Sequence, residues 1–102
     1  MFVRIARGSF DPSVADEVQR LVRESEETLA PAVARMPGNL HYYAAFDRAS
    51  RTIVNVSVWT DERHALQMGY LREMHRLSEE FRWRGVQFEV ITNYEVLWDV
   101  NG

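Results

Sequence analysis

The stretch from Thr52 to Trp59 constrains the fold of this chain most strongly, because apolar residues occupy both sides of a regular alternation. Residues two apart in a β-strand point to the same face of a sheet. One face carries Thr52, Val54, Val56 and Val58. The other face carries Ile53, Asn55, Ser57 and Trp59. A strand with no fully polar face predicts that both sides of its sheet are covered.

The first helical pattern follows Asp11-Pro12-Ser13, where an Asp or Ser side chain can cap free N–H groups and Pro suits a first turn. Apolar residues from Val14 to Leu29 then recur at spacings of three and four, which predicts a helix with one buried stripe. Pro31 cannot donate a backbone N–H, so we expect the helix to kink or restart there. It should end at Pro37-Gly38.

The second helical pattern begins at Thr60-Asp61-Glu62, which offers an N-cap and acids in the first turn. Gly69 predicts a division into a short helix and a longer one, and Gly85 is placed to end the longer one. Residues 86–99 are extended in character. We expect a break near Thr92-Asn93, giving two short strands.

Two more strands complete the order of elements. Residues 2–7 alternate, with Val3 and Ile5 on one side, and residues 40–47 are joined to the strand at 52–59 by a turn. The order is therefore strand, helix, strand, strand, helix, strand. This order predicts a split βαβ fold of the α+β class, with both helices on one face of a four-stranded antiparallel sheet.

Length and composition narrow the function classes. A chain of 102 residues is expected to form one domain, 1–102. The net charge of −3 argues against nucleic-acid binding, and the absence of cysteine excludes thiolate catalysis and zinc–thiolate sites. No apolar run approaches the length of a membrane span. The location expected from these features is the cytoplasm, without a membrane partner.

The two faces of the strand at 52–59 suggest different partners. Two valine-rich faces can bury each other without stranding polar groups, so this face is the candidate interface of a homodimer. The mixed face would then lie under the helices. There Asn55 and Ser57 need hydrogen-bond partners, which a ligand or water in a cleft can supply.

The sequence resembles the dimeric α+β barrel superfamily, and within it the antibiotic-biosynthesis-monooxygenase type. The resemblance is carried by Pro37-Gly38 before a strand and by the stretch from Val54 to Glu62 leading into the second helix. It covers essentially the whole chain. It implies a ferredoxin-like fold whose two copies form a dimeric barrel, but this fold hosts several activities.

The resemblance also implies a site. In the polyketide-oxidising members an Asn and a Trp four apart on this strand hold a phenolic substrate, and Asn55 and Trp59 match them as candidate catalytic residues. Deprotonation lets the electron-rich substrate react directly with dioxygen, so no metal, flavin or other cofactor is implied. The family's helix Tyr and Arg have no match in register, and Tyr70 and Arg72 are the nearest candidates.

Three further residues are candidates for contact with a small aromatic molecule. His41 alternates with Tyr43, so both belong either to the cleft or to the dimer face. His75 follows the apolar stripe of the second helix, where a partly exposed histidine and a base are both reasonable interpretations. A metal site would need His41, His64 and His75 to converge, and nothing in their spacing requires this.

Two alternatives to a cofactor-free monooxygenase stay open. One is a binding or stress-response protein of the same fold without chemistry. The other is a haem-binding or haem-degrading protein, which the resemblance also allows if His75 serves as the iron ligand. The Asn and Trp expected in haem degraders are absent, since Val3, Ile5 and Arg7 occupy strand one and Met68 stands near the Trp position.

Overall fold

A five-stranded antiparallel sheet forms the centre of the computed structural model, which describes residues 1–101. Strand β1 (Phe2–Ser9) pairs over its whole length with β3 (Thr52–Trp59), and β3 pairs with β2 (Asn39–Asp47). On its other side β1 pairs with β4 (Gln87–Phe88) and β5 (Thr92–Glu95). The strands therefore occupy four positions in the sheet, because β4 and β5 share the edge beside β1.

The division of the last strand was predicted, but its position was not. The break comes at residues 89–91, and Thr92-Asn93 begins β5 instead of interrupting it. The pairing explains the shift, because Asn93 lies opposite Arg4 and accepts a hydrogen bond from its side chain, Nη1 to Oδ1 at 3.1 Å.

The helices lie on one face of the sheet. A short 3-10 turn at Pro12–Val14 precedes α1 (Ala15–Glu24) and α2 (Glu26–Ala34). After β3 come α3 (Glu62–Ala65), a 3-10 segment at Leu66–Tyr70 and α4 (Arg72–Trp83). The positive φ of Gly85 (85°) terminates α4 as expected. No helix within residues 1–101 combines the length and apolarity needed to cross a membrane.

The sequence predicted that the helix would kink or restart at Pro31. The interruption between α1 and α2 lies instead at Ser25. The Ser25 hydroxyl donates to the Val22 carbonyl at 2.6 Å, and such back-bonding bends helices. Pro31 is accommodated inside α2. The bend therefore lies at residue 25, earlier in the chain than the predicted position at residue 31.

Strand β1 extends to Ser9, two residues beyond the stretch 2–7 that the sequence predicted. Gly8 pairs with Ile53 on β3 and with Phe88 on β4. A Cβ atom at this position would lie 2.8 Å from Cγ1 of Val86 and 2.9 Å from Cε1 of Phe88. Glycine is needed here because the side chains beside β4 approach the backbone closely.

The alternation of β3 is confirmed, with its mixed face under the helices. Ile53 joins one buried cluster with Val18 and Phe81, and Trp59 joins another. The valine face has no helix on it, although Val56 is itself buried at 8% exposure. Tyr43 and Tyr94, in register with Val56 and Val3, are 47% and 51% exposed.

Candidate functional site

A cavity of about 460 Å³ lies between the sheet and the helices. Its floor is a cross-strand row in which Ala44 on β2 and Ala6 on β1 flank Asn55 on β3. Two alanines beside an asparagine leave space that larger side chains would fill. The volume is within the range typical of small-molecule sites.

The Asn55 amide is the central polar group of this floor. Its Nδ2 donates to the Tyr42 hydroxyl at 2.8 Å and points a second hydrogen bond at the Met74 sulfur, 3.9 Å away. A thioether is a weak acceptor, so this second N–H is poorly satisfied by the protein. A ligand oxygen in the cavity would be a better acceptor for it.

Tyr42 extends the polar floor toward a second cavity of about 370 Å³, which Tyr42 lines and which shares Val22, Ser25 and Ala44 with the first. Burial raises the pKa of the Tyr42 phenol, and the hydrogen bond from Asn55 acts in the opposite direction. Tyr42 therefore stays protonated at neutral pH, and its O–H hydrogen remains free to donate.

Helix α4 supplies the opposite wall, mostly with apolar groups. Met74, Leu77 and Phe81 line the cavity, and His75 also belongs to the lining, although its side chain is exposed to solvent. The His75 Nε2 is 2.8 Å from the Gly69 carbonyl oxygen, which can only accept, so Nε2 carries the proton in the neutral ring. The remaining nitrogen, Nδ1, then has a lone pair that can accept a hydrogen bond.

Charged side chains lie at the other side of the cavity, on β1, on α4 and just after β4. Arg4 is half-buried in the lining, whereas Arg82 and Glu89 are exposed at its rim. The Arg82 guanidinium stacks over the Phe88 ring with 5.6 Å between the carbon and the ring centroid. The cavity thus combines apolar walls with few polar groups.

Trp59, which the resemblance implied as a candidate catalytic residue beside Asn55, is not part of this lining. Its side chain is 0% exposed and packs with Val33, Ala65 and Met68. Of these neighbours only Met68 reaches the cavity wall. Trp59 packs behind the cavity wall and does not face the cavity. Side chains from α2 and α3 cover this end of β3 and leave no space beside the indole.

The other predicted residues are divided between three places. His75 lines the cavity with Asn55, as the proposed site requires. Tyr70, 88% exposed, and Arg72 lie on the outside, away from the lining. His41 and Tyr43 lie in register with Val58 and Val56, on the valine face of the sheet.

This placement decides between the alternatives for His41 and Tyr43 in favour of the face that was predicted to form the dimer. Their rings lie close, with 5.6 Å between centroids. His64 is also remote from the cavity, and its Nδ1 is 2.7 Å from a carboxylate oxygen of Asp61. Within residues 1–101 no three His, Asp or Glu side chains are grouped as they would need to be to hold a metal ion.

Three residues of the site were missed by sequence reasoning: Arg4, Tyr42 and Met74. A signal was available for Arg4, since it shares the face of β1 with Phe2 and Ala6, and a charged residue on a covered face needs an explanation. Tyr42 follows from the register, which places it beside Ser57 and diagonal to Asn55. Met74 has only an apolar helix position to mark it.

Comparisons with known proteins support the fold. No family model matches the chain, and no curated protein matches it. Solved structures do match, among them a candidate antibiotic biosynthesis monooxygenase from Deinococcus radiodurans, with TM-score 0.75, 17% identity and coverage of 99% of this chain and 97% of that one. A similar candidate from Nitrosomonas europaea has TM-score 0.74, 14% identity and coverage of 96% and 100%.

A third match is SnoaB, a cofactor-independent oxygenase from Streptomyces nogalater, with TM-score 0.67, 16% identity and coverage of 99% and 97%. At such identities the likeness concerns the fold alone. The chain has the α+β, ferredoxin-like fold of the antibiotic-biosynthesis-monooxygenase type, so the resemblance seen in the sequence is confirmed at that level.

Proposed function

We propose that this protein is a cofactor-independent monooxygenase that oxidises a small aromatic or quinol-type molecule in the cavity between sheet and helices. The observation that carries the proposal is the Asn55 amide, which lies in the floor of an otherwise largely apolar cavity with one N–H directed only at a thioether. A preorganised donor of this kind stabilises negative charge as it develops on a substrate oxygen.

The proposed chemistry needs an oxyanion, a base and dioxygen. Asn55 donates to the phenolic oxygen of the substrate, and the Nδ1 atom of His75 takes up the phenolic proton. Met74, Leu77 and Phe81 exclude water and hold the ring. The resulting electron-rich carbanion is what reacts with dioxygen.

For anthrone, a simple test substrate, the reaction balances without another reductant. The ring carbon loses its electrons to dioxygen and forms a C–O bond, giving a peroxide that takes a proton. Cleavage of the O–O bond with loss of the second ring hydrogen yields a carbonyl and one water. One oxygen atom enters the product, and the substrate itself supplies the electrons.

Oxygen uptake with a panel of anthrones and hydroquinones tests the proposal. We expect uptake above the uncatalysed rate, with one heavy oxygen atom in anthraquinone when the dioxygen is isotopically labelled. Asn55→Leu, which keeps the branched shape of the side chain but removes the amide, should lower the rate at least tenfold. An unchanged rate in that variant would remove Asn55 from the mechanism.

Asn39→Leu is the matched control, because the Asn39 amide donates to the His41 and Val58 carbonyls outside the cavity. It should keep the rate of the unmodified protein. Ligand binding without any oxygen uptake across the panel would instead indicate a binding protein of the same fold.

We further propose a homodimer that forms through the valine face of the sheet. This face is uncovered by helices and carries exposed apolar groups such as Tyr43 and Tyr94. Beyond β5, the extended segment 97–100 adds Leu97, Trp98 and Val100, each at least 79% exposed. A second copy would bury both sets, since apolar surface of this extent is uncommon on a monomer.

Light scattering coupled to size-exclusion chromatography tests the dimer. The unmodified chain should have the mass of two copies, and Val54→Arg, a charge on the valine face, should give one copy. Trp83→Arg is the control, because Trp83 is a large exposed apolar residue that lies at the end of α4 and not on the valine face. A monomeric unmodified protein would contradict the proposal.

A further inference from the structure

Arg4 is an unusual residue for its position. It lies on the helix-covered face of β1, between Phe2 and Ala6, and its side chain is half-buried in the lining of the cavity. Arginine side chains are normally exposed or paired with an acid when they are buried. The contacts of this guanidinium therefore indicate what the cavity is built to hold.

Those contacts come from neutral groups. Nη1 donates to the Asn93 amide oxygen at 3.1 Å, and Nη2 lies beside Gly69, 3.7 Å from where a Cβ would stand. Within residues 1–101 no carboxylate oxygen comes within 4.0 Å of this side chain, and the ion pairs formed by arginines involve only Arg48 and Arg84. The positive charge has no internal counter-ion.

Burial lowers the pKa of Arg4, and no acid opposes that effect. An arginine nevertheless stays protonated in a protein, so the site keeps its charge. Arg82 and Glu89 also belong to the lining, but both side chains are exposed at the rim, where water and salt screen them. The unbalanced charge in the cavity is therefore that of Arg4.

The sheet register relates Arg4 to the Asn55 amide. Arg4 lies opposite Ser57 and Ala6 lies opposite Asn55, so Arg4 and Asn55 are diagonal neighbours on adjacent strands. Diagonal positions are about 7 Å apart, within the span of a substituted bicyclic ring. One ring can therefore place one oxygen group at Asn55 and another at Arg4.

We infer that Arg4 is the anion-binding residue of the cavity and that its ligand is an aromatic carboxylate, with the carboxylate at Arg4 and the ring against α4. A guanidinium offers paired N–H donors that match a carboxylate. The inference deepens the proposed function and rests on it only for the phenolic oxygen at Asn55. The anion site itself requires no turnover.

The test compares a naphthoate with the corresponding naphthamide, which have the same ring and differ in charge. Isothermal titration calorimetry at neutral pH should give at least tenfold tighter binding of the naphthoate to the unmodified protein. In Arg4→Gln the two ligands should bind within about twofold of each other. Equal binding of acid and amide to the unmodified protein, or failure of both to bind, would overturn the inference.

Asn93→Asp provides a second variant that keeps Arg4 and most of the local shape. It places a carboxylate within hydrogen-bond distance of the Arg4 Nη1 atom, where it would neutralise the guanidinium. The preference for the naphthoate should therefore disappear although the arginine remains. Arg7→Gln is the control, because Arg7 is exposed on the opposite face of the same strand. A preference that survives in Arg4→Gln and Asn93→Asp, or is lost equally in Arg7→Gln, would contradict the assignment.

The two proposals fail separately in these experiments. Acid preference without oxygen uptake would preserve the anion site and remove the oxygenase. Oxygen uptake by anthrone without acid preference would preserve the oxygenase and remove the anion site.

Discussion

The two ends of the covered face of β3 differ in a way that accounts for the site. At one end Trp59 is fully buried against Val33, Ala65 and Met68. Four residues earlier on the same face, Asn55 lies in the floor of a 460 Å³ cavity. The same strand thus contributes to a closed core at one end and to an open chamber at the other.

This difference in packing is caused by residues of the neighbouring strands and helices and not by β3 itself. At the open end Asn55 is flanked by Ala44 and Ala6, and these small side chains do not reach α4. At the closed end α2 and α3 contribute residues that fill the space over the indole. A binding site in this fold therefore depends on small residues across a sheet row as much as on its polar group.

Removal of the indole tests the closed end and should have the largest effect. Trp59→Ala is expected to lower the free energy of unfolding by about 3–5 kcal/mol, because it leaves a large void in a packed cluster. Urea denaturation measures the change. Trp83→Ala, at an 87% exposed position, should change it by less than about 0.5 kcal/mol. Similar losses in both variants would contradict the comparison.

Filling the open end should remove binding with little change in stability. Ala44→Leu puts a larger side chain beside Asn55, so naphthoate affinity should fall at least tenfold while the free energy of unfolding changes by about 1 kcal/mol or less. Ala34→Leu, exposed at the end of α2, is the control and should bind normally. Normal binding in Ala44→Leu would show that the ligand lies elsewhere.

The smallest expected effect concerns the Tyr42 phenol beneath Asn55. Tyr42→Phe should cost about 1 kcal/mol at neutral pH, because Asn55 loses its acceptor. The pKa of Tyr42 is raised above 10.0 in the folded protein, so its contribution is complete below that pH and is lost as the pH rises through the higher folded pKa.

Unfolding free energies at several alkaline pH values check this sign. The unmodified protein should lose its advantage over Tyr42→Phe at high pH. An advantage that grows with pH would contradict the assignment of Tyr42 as a buried, protonated phenol.

Most of the fold could be predicted from the sequence, because the repeating spacing of apolar residues indicates each strand and helix. The alternation of residues 52–59 gave the correct faces of β3, and Gly85 marked the end of α4. The bend at Ser25 was missed because a hydroxyl–carbonyl bond within the helix overrode the effect expected from Pro31. Local signals compete, and their order of strength depends on tertiary packing.

The site was only partly accessible, for a different physical reason. Alternation places Asn55 and Trp59 on one face, but it carries no information about which part of that face the helices fill. The roles of Ala6 and Ala44 appear only when the register brings them beside Asn55. Arg4 and Tyr42 likewise act through strands that are distant in sequence, so pairing had to be known first.

The methionine methyl groups offer the most direct test that the cavity binds the ligand. Of the four methionines, Met68 and Met74 line the cavity, whereas Met1 and Met36 do not. In a protein with isotope-labelled methionine methyls, titration with naphthoate should shift the NMR signals of Met68 and Met74 and leave the other two in place. Shifts confined to Met1 and Met36, or no shift at saturating ligand, would contradict a binding site between the sheet and the helices.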